Sequence, residues 1–296
     1  MASASIAPSG ALANKVAIVT GSSSGIGREI AIAYAAAGAF IVCADLSPKT
    51  AKAKHSEDGT APGVPTHDHI NSEYKSSSAG DRQSRAIFVQ TDMTQSSSVK
   101  NLVDKTVGQF GRLDVLVNNA GILAEAGTPT VFPRIHETPE SVWDADMAVN
   151  AKGVWLGMKY ATEQMLKQEP HQPSMDRGWI VNIASIVSLV GYAGTSSYDA
   201  SKGAVLQMTK AVALEYAKDR IHVNSLHPGF TDTALLEPLK IAGGPDATRR
   251  SLADLHPWGT VGRAEDIAKV AVFLASDGAS WCTGAPFIVD GGYLAQ

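Results

Sequence analysis

The sequence predicts an α/β protein, a single domain in which about seven parallel strands form one sheet with helices on both faces. Three observations lead to this class. Short apolar runs alternate with longer amphipathic stretches along the 296 residues. The short runs are apolar at nearly every position, as in strands that are buried on both faces of a parallel sheet. No change of composition divides the chain, which favours one domain over two.

The individual elements follow from the local pattern. Seven apolar runs are predicted as strands, at residues 16–20, 40–44, 86–90, 114–118, 179–184, 221–225 and 287–289. Apolar residues spaced three and four apart predict helices at residues 26–37, 97–109, 140–168, 198–218 and 264–275. Gly38 follows the first helix, as glycine often does at a helix end. The alternation of the two kinds of element predicts a doubly wound sheet.

Three segments fall outside this alternation. Residues 1–13 are predicted as a flexible leader, so that the domain spans residues 14–296. Residues 47–85 form a polar insert between the second and third strands, and we expect a surface excursion or partial disorder there. Residues 230–262 are rich in Gly, Pro and Thr, and they are interpreted either as a mobile substrate loop or as a plain surface loop.

Charge and composition exclude several classes of function. The 25 Lys and Arg residues against 29 Asp and Glu residues give a net charge of −4, without the basic excess typical of nucleic-acid binding. No run of about eighteen apolar residues is present that could span a membrane. The N-terminus has no basic segment before an apolar stretch, and Cys43 and Cys282 are too few for a disulfide framework. We therefore expect a cytoplasmic protein whose partner is a small-molecule substrate.

A glycine-rich turn connects the first strand to the first helix. Gly21, Gly25 and Gly27 have the spacing G-x-x-x-G-x-G, and glycine allows the backbone to approach a pyrophosphate closely. The N-terminus of the following helix offers free N–H groups to the same anion. Asp45, at the end of the second strand, could hold both hydroxyls of an adenosine ribose and would repel a 2′-phosphate. The pattern favours NAD over NADP, with a solvent-facing residue at a strand end as the alternative interpretation of Asp45.

Further motifs follow in a fixed order along the chain. They are the stretch 20–27, Asn118-Asn119-Ala120-Gly121, Asn150, Ser185, the pair Tyr198 and Lys202, and Pro228-Gly229 with Thr231. In these motifs, from about residue 14 to the C-terminus, the sequence resembles the short-chain dehydrogenase/reductase family. The resemblance implies a Rossmann-type fold, a nicotinamide cofactor and an oxidoreductase that acts on CH–OH groups. The insert at residues 47–85 departs from the compact core of that family.

The resemblance also implies roles for individual residues. Lys202 resembles the lysine that bonds the nicotinamide ribose, Asn150 the asparagine that holds a water molecule, and Thr231 the residue whose hydroxyl meets the nicotinamide amide. Asp92 and its neighbour Met93 are expected near adenine, and a cap for the helix at residue 97 is the other interpretation of Asp92. The complete set of expected cofactor contacts is Gly21, Ser23, Ser24, Gly25, Ile26, Gly27, Asp45, Asp92, Met93, Asn119, Ala120, Gly121, Tyr198, Lys202, Pro228, Gly229 and Thr231.

The proposed catalytic residues are Asn150, Ser185, Tyr198 and Lys202. Tyr198 and Lys202 are one helical turn apart, so their side chains share a face. A tyrosine with its ordinary pKa of about 10 is a poor base at neutral pH, and a nearby ammonium is expected to lower that pKa. Ser185 could hydrogen-bond the substrate oxygen and stabilise alkoxide charge. The predicted reaction is hydride transfer between a nicotinamide and a carbinol carbon, with Tyr198 as general acid and base.

The predicted substrate pocket is mostly apolar. The residues expected to contact the substrate are Ser185, Val187, Tyr192, Tyr198 and Leu235, and no Arg or Lys stands among them to hold a carboxylate or phosphate. These features favour a neutral secondary alcohol or ketone of a cyclic, terpenoid or polyketide kind. Two alternatives stay open. The same site could serve a non-redox isomerase, dehydratase or cyclase, or the protein could be an NAD-binding regulator without catalysis.

Two other patterns receive structural interpretations. His67 and His69 lie in the polar insert without further ligands at a metal-binding spacing, so no metal site is expected. Asp144 and Asp146 are two residues apart and do not share a helical face, which argues against a catalytic carboxylate pair.

The two longest predicted helices carry small residues, namely Gly153, Gly157, Ala200, Gly203, Ala204 and Ala211. Small side chains allow helices to approach closely, here across a two-fold axis between subunits. Symmetric homo-oligomers are the common case among soluble oligomers. We therefore expect a homo-oligomer, either a dimer or a tetramer.

Overall fold

The computed structural model of the chain describes residues 10–49, 63–74, 84–130, 132–236 and 244–296. The first nine residues of the predicted leader lie outside the described residues. So do residues 50–62 and 75–83 of the predicted insert and residues 237–243 of the predicted substrate loop.

Seven parallel strands form the central sheet of the described chain. They are β1 (Val16–Thr20), β2 (Phe40–Asp45), β3 (Ala86–Gln90), β4 (Val115–Asn118), β5 (Gly178–Ile183), β6 (Ile221–Pro228) and β7 (Pro286–Val289). Their order across the sheet is β3-β2-β1-β4-β5-β6-β7, and each neighbouring pair is parallel. The predicted α/β class with a doubly wound parallel sheet is confirmed.

Helices follow most of the strands. They are α1 (Gly25–Ala36), α2 (Thr66–Glu73), α3 (Ser96–Phe110), α4 (Glu140–Asp146), α5 (Gly153–Leu166), α6 (Ser196–Tyr216), α7 (Pro245–Ala253) and α8 (Ala264–Leu274). The single helix predicted over residues 140–168 is in fact α4, a π-helical segment at Met147–Lys152, and α5. Helices α2 and α7 are not predicted by the sequence, because both are short and polar.

The core lies on both faces of the sheet. In β1, Ala17 and Val19 point to one face, where they share a buried cluster with Tyr34 of α1. Ile18 points to the other face, into a cluster that contains Met158 of α5. This alternation follows from the two-residue period of a strand, and it explains why the run is apolar at each position.

Part of the polar insert is a packed helix rather than a surface excursion. Ile70 of α2 is fully buried in the same cluster as Tyr34. The Thr66 hydroxyl donates to the Ser22 carbonyl oxygen at 2.7 Å, and Arg28 Nη1 donates to Thr66 Oγ1 at 2.9 Å. The insert is therefore attached directly to the turn between β1 and α1.

The end of the predicted leader is also packed. Leu12 is fully buried, and its N–H donates to the Ala37 carbonyl oxygen at 2.9 Å. Leu12 therefore packs against the end of α1, although it belongs to the segment predicted as a flexible leader.

Gly153 and Gly157, two of the small residues expected between subunits, lie inside the subunit instead. A Cβ on Gly153 would be 3.1 Å from the Met93 side chain, and a Cβ on Gly157 would overlap the Asn118 side chain. The small residues of α5 therefore allow this helix to approach β4 and the segment after β3. They give no support to a two-fold interface.

The strand order places a crevice at the carboxyl ends of β1 and β4. The chain winds from β1 to β2 and β3 on one side, and then returns to β4 and continues in the opposite direction. In doubly wound sheets, ligands bind outside the carboxyl ends of the strands at such a switch point.

Candidate active site

The turn after β1 is shaped by its glycines. Gly21 and Gly25 have φ angles of +65° and +54°, a region that residues with a Cβ rarely adopt. A Cβ on Gly21 would lie 2.8 Å from Ala120 Cα, and a Cβ on Gly27 would overlap the Gly21 carbonyl oxygen. Gly27 therefore allows the turn to fold tightly over α1, whereas Gly21 and Gly25 face the crevice.

The N-terminus of α1 suits an anion. Ser24 is the N-cap residue in extended conformation, its side chain makes no capping hydrogen bond, and the first turn contains no acidic residue. The first N–H groups of the helix thus have no capping side chain, and the positive end of the helix dipole adds to their attraction for negative charge. A glycine-lined turn that ends in such a helix fits the pyrophosphate of a dinucleotide.

Asp45 stands at the carboxyl end of β2, beside this turn. Its Oδ2 accepts from the Ser23 N–H at 3.0 Å, and its Oδ1 accepts from the Leu46 N–H at 2.8 Å. The Ser23 hydroxyl donates to the Ser47 carbonyl oxygen at 2.6 Å. These bonds hold the Asp45 carboxylate at the edge of the crevice, where the ribose of a nucleotide would lie if its phosphates occupied the turn.

The segment after β4 is attached to the same turn. Thr20 Oγ1 accepts from the N–H groups of Asn119 and Ala120, both at 3.0 Å. The Asn119 side-chain amide donates to the Thr20 carbonyl oxygen at 2.9 Å. The next residue, Gly121, leaves space for a lysine, because a Cβ there would lie 3.4 Å from Lys202 Nζ.

Tyr198 and Lys202 lie in the first two turns of α6, facing the crevice. Lys202 Nζ is 5.7 Å from the centroid of the Tyr198 ring and donates to the Ile183 carbonyl oxygen at 2.9 Å. Ser185 follows β5 and lines the same cavity as Tyr198, where its hydroxyl acts to lower the pKa of the phenol. Two elements, the end of β5 and helix α6, thus bring a hydroxyl, a phenol and an ammonium to the lining of one cavity.

The electrostatics of this pair differ from the sequence prediction. Burial raises the pKa of Tyr198 above its ordinary value, and the hydrogen bond with Ser185 opposes this shift without cancelling it. Burial also lowers the pKa of Lys202 to about 8. The expectation of a Tyr198 pKa below its ordinary value is therefore wrong for the protein alone, because loss of water outweighs the opposing effect of Ser185.

Asn150 lies behind this group and is fully buried. It belongs to the π-helical segment, a rare conformation that is frequent at functional sites. Its Oδ1 accepts from the Ile122 N–H at 2.8 Å, and its Nδ2 donates to Ser201 Oγ at 3.0 Å. Asn150 thus connects the segment after β4 to α6, without its side chain reaching the cavity surface.

The large cavity of the described chain contains most of the predicted site. Its lining includes Ser185, Val187, Tyr192, Tyr198 and Leu235, which are the residues expected to contact the substrate. Of the residues expected to contact the cofactor, the lining includes Gly21, Ser24, Gly25, Ile26, Asp45, Asp92, Met93, Asn119, Ala120, Gly121, Tyr198, Lys202, Pro228, Gly229 and Thr231. Ser23 and Gly27 lie behind the lining, as does Asn150.

Several lining residues were not predicted. Phe132, Val149, Phe230 and Thr233 also face the cavity. Tyr192 makes edge-to-face contacts with the rings of Phe132 and Phe230, at centroid distances of 5.7 and 5.6 Å. The sequence gives no signal for Phe132, because it reaches the cavity only through the path of the loop between β4 and α4.

The charges around the cavity are few. Among the described lining residues, Lys202 is the only cation, and the carboxylates are Asp45 and Asp92. No group of three or more His, Cys, Asp or Glu residues in the described ranges is arranged to hold a metal ion. None of the helices described here has both the length and the apolar character needed to cross a bilayer.

Comparison with known proteins identifies relatives along nearly the whole chain. A family model described as enoyl-(acyl carrier protein) reductase matches residues 64–294. A cis-4-hydroxycyclohexanecarboxylate dehydrogenase of Sinomonas cyclohexanicum is 37% identical over 96% of this chain and 98% of its own length. A cyclohexanol dehydrogenase of Acinetobacter sp. is 32% identical, with 96% of each chain covered.

A solved structure shows the same fold. It is a short-chain type dehydrogenase/reductase from Mycobacterium marinum, with a TM-score of 0.77 and 30% sequence identity. The match covers 96% of this chain and 97% of that one. The Rossmann-type architecture inferred from the order of motifs is therefore confirmed.

Proposed function

The chain belongs to the short-chain dehydrogenase/reductase family, and from this premise we propose that it is an NAD-dependent enzyme that interconverts a secondary alcohol and a ketone. The observation that carries the proposal is that Ser185, Tyr198 and Lys202 line the same cavity as the glycine turn. One end of that cavity suits a dinucleotide, and the other end combines a proton donor with apolar walls.

A bound nicotinamide accepts the hydride in oxidation and supplies it in reduction. Tyr198 takes the hydroxyl proton of the alcohol in oxidation and returns it in reduction. The Ser185 hydroxyl donates to the substrate oxygen and stabilises negative charge that develops there. The Lys202 ammonium favours the phenolate form of Tyr198, which burial otherwise disfavours.

The proposed preference for NAD rests on Asp45. A carboxylate at the end of β2 can accept hydrogen bonds from both ribose hydroxyls and repels the 2′-phosphate of NADP. Lys202 lies at the end of β5, three strands away from β2 in the sheet, and no other cation of the described lining could balance that phosphate.

The proposed substrate is a neutral cyclic secondary alcohol or the corresponding ketone. Val187, Leu235 and the aromatic group formed by Phe132, Tyr192 and Phe230 make the substrate end of the cavity apolar. An apolar pocket with a few polar groups at one point binds and orients such a molecule. The names of two relatives, a cyclohexanol dehydrogenase and a cis-4-hydroxycyclohexanecarboxylate dehydrogenase, agree with this choice.

The proposed enzyme is a homo-oligomer. This proposal rests on exposed apolar side chains and not on the glycines of α5. Trp155 of α5 and Leu214 of α6 are 47% and 80% exposed. Apolar side chains exposed on neighbouring helices favour association. Light scattering distinguishes a monomer, which would contradict this proposal, from a dimer or tetramer.

Replacement of Tyr198 by Phe tests the chemistry. The variant keeps the ring but loses the exchangeable proton, so kcat with NAD and a cyclic alcohol such as cyclohexanol should fall at least about 10²-fold. NAD binding, measured by calorimetry, should be retained. Tyr216→Phe, at the far end of the same helix, is the matched control. Turnover of Tyr198→Phe within a few-fold of the wild type would refute the proposed role.

A further inference from the structure

Two buried carboxyl groups meet beneath the first turn of α6. Glu125 follows β4 in a short 3₁₀ turn, and Asp146 is the last residue of α4. Both side chains are fully buried, and both reach Ser197, the second residue of α6. The spacing of Asp144 and Asp146 in the sequence excludes that pair, and no sequence pattern indicates Glu125 as a partner of Asp146.

The hydrogen bonds around Ser197 require an additional proton. Ser197 Oγ lies 2.5 Å from Glu125 Oε1 and 3.0 Å from Asp146 Oδ2, but a hydroxyl has only one hydrogen to donate. If the Ser197 hydroxyl donates to one carboxyl group, its contact with the other is favourable only if that other group is protonated and donates to Ser197 Oγ. Asp146 Oδ1 accepts from the Ala124 N–H at 3.2 Å, which leaves Oδ2 as the oxygen that carries the proton.

Glu125, unlike Asp146, acts as an ionised carboxylate, because its Oε1 accepts hydrogen bonds from the backbone at the start of α6. Its Oε1 accepts from the N–H groups of Ser197 and Tyr198, at 3.1 and 3.0 Å. The side chain of the N-cap residue Thr195 makes no capping hydrogen bond, and its hydroxyl donates to Asp199 Oδ1 at 2.8 Å instead. A carboxylate supplied from 72 residues away thus caps the helix that carries Tyr198.

We propose that Glu125 and Asp146 share one proton in the resting enzyme, and that this pair, bridged by Ser197, holds the first turn of α6 and so positions Tyr198. Neither residue lines the cavity, so both are positioning residues rather than catalytic ones. The inference deepens the proposed function, since it rests on Tyr198 as the acid and base of the reaction.

The electrostatic environment agrees with this assignment. Burial and the adjacent Glu125 raise the pKa of Asp146 to about 7. Burial also acts to raise the pKa of Glu125, but hydrogen bonds from Ser197, Asp146 and the Tyr198 backbone outweigh it and hold that pKa below its usual value. The other titratable groups that interact with the pair are Tyr198, Asp199 and Lys202.

Asp146→Asn is the decisive variant, with the exposed Asp144→Asn as its matched control. The wild type gains stability while Asp146 keeps its proton, and that gain is lost as the pH rises from about 4 to about 7. The Tm of Asp146→Asn relative to the wild type should therefore rise between pH 5 and pH 8, whereas that of Asp144→Asn should not. A protonated-carboxyl infrared band at pH 6 should disappear in Asp146→Asn only.

Activity supplies the second readout. The ratio of kcat between Asp146→Asn and the wild type should increase with pH, with an inflection near pH 7, because ionisation of Asp146 disturbs the wild type alone. Glu125→Gln removes the charged cap and should lower kcat about tenfold, with little change in the Kd for NAD.

Two results would overturn the shared proton. One is a Tm of Asp146→Asn that varies with pH in the same way as that of the wild type. The other is persistence of the protonated-carboxyl infrared band in Asp146→Asn. Both measurements are independent of turnover, so they can fail or succeed whether or not Tyr198 performs the proposed chemistry.

Discussion

Replacement of Gly157 by Ala tests how closely α5 must approach the sheet beneath the site. A Cβ at this position would overlap the side chain of Asn118, which is buried at the end of β4. Asn118 Nδ2 donates to Asn182 Oδ1 at 2.8 Å, and Asn182 Nδ2 donates to Thr209 Oγ1 at 2.9 Å. The added methyl group therefore has to displace a chain of hydrogen bonds that connects β4, β5 and α6.

The magnitude follows from three contributions. Overpacking of a core position costs about 1–3 kcal/mol. A buried polar group left without its partner costs about 1–3 kcal/mol more. Alanine is better than glycine within a helix by about 1 kcal/mol, which offsets part of this loss. The free energy of unfolding should therefore fall by about 1–5 kcal/mol, and Tm by at least about 2 °C.

Gly108→Ala is the matched control for Gly157→Ala. Gly108 also lies within a helix, α3, but a Cβ there would meet nothing within 4 Å among the described residues. Its Tm should be unchanged or slightly raised, because only the helix propensity changes. Thermal unfolding followed by near-ultraviolet circular dichroism measures both variants. A Gly157→Ala protein that melts at or above the wild-type temperature would refute the close approach of α5 to Asn118.

Two further predictions concern charged residues. Asp45→Ala should raise the Kd for NAD and bring it closer to the Kd for NADP, as measured by calorimetry. An unchanged ratio of the two Kd values would show that Asp45 does not contact the ribose. At neutral pH, Asp114→Asn should lower the free energy of unfolding by about 2–4 kcal/mol, because buried Asp114 accepts from His171, the Val16 N–H and Arg112. These bonds outweigh burial and lower the pKa of Asp114. The difference in the free energy of unfolding between the wild type and Asp114→Asn, measured by urea unfolding, should therefore shrink below pH 4. A difference that stays constant with pH would contradict this prediction.

The sheet was predictable because its signals are local. Each strand is a short run of apolar residues, and the two faces of β1 contact separate clusters through alternate side chains. Helix α2 was not predictable in this way, since its single deeply buried apolar residue, Ile70, gives no periodicity. Its position depends on Thr66 and Arg28, which meet only in the folded chain. The π-helical segment around Asn150 is equally invisible, because its sequence is compatible with an ordinary α-helix.

In the candidate site too, some residues have a local sequence signal, whereas others are brought together only by tertiary structure. The glycine turn and the pair Tyr198 and Lys202 are visible in the sequence, because each is a short local motif that stands in its place in an ordered set of motifs. Glu125 is not recognisable, because its carboxylate meets the N–H groups of α6 only through tertiary structure. The pKa of Tyr198 was predicted in the wrong direction because spacing reveals a neighbouring charge but not the loss of water.

The balance of charge beneath α6 bears on how Tyr198 could act as a base. When Tyr198 gives up its proton, a negative charge appears in a half-buried site, where Ser185, Lys202 and the N-terminus of α6 act to stabilise it. Glu125 already uses part of the attraction of that N-terminus. An ionised Asp146 would add a second negative charge, and the charge of Asp146 indeed acts to raise the pKa of Tyr198. A proton on Asp146 therefore serves two purposes, because it completes the cap on α6 and keeps one unfavourable charge away from the phenolate.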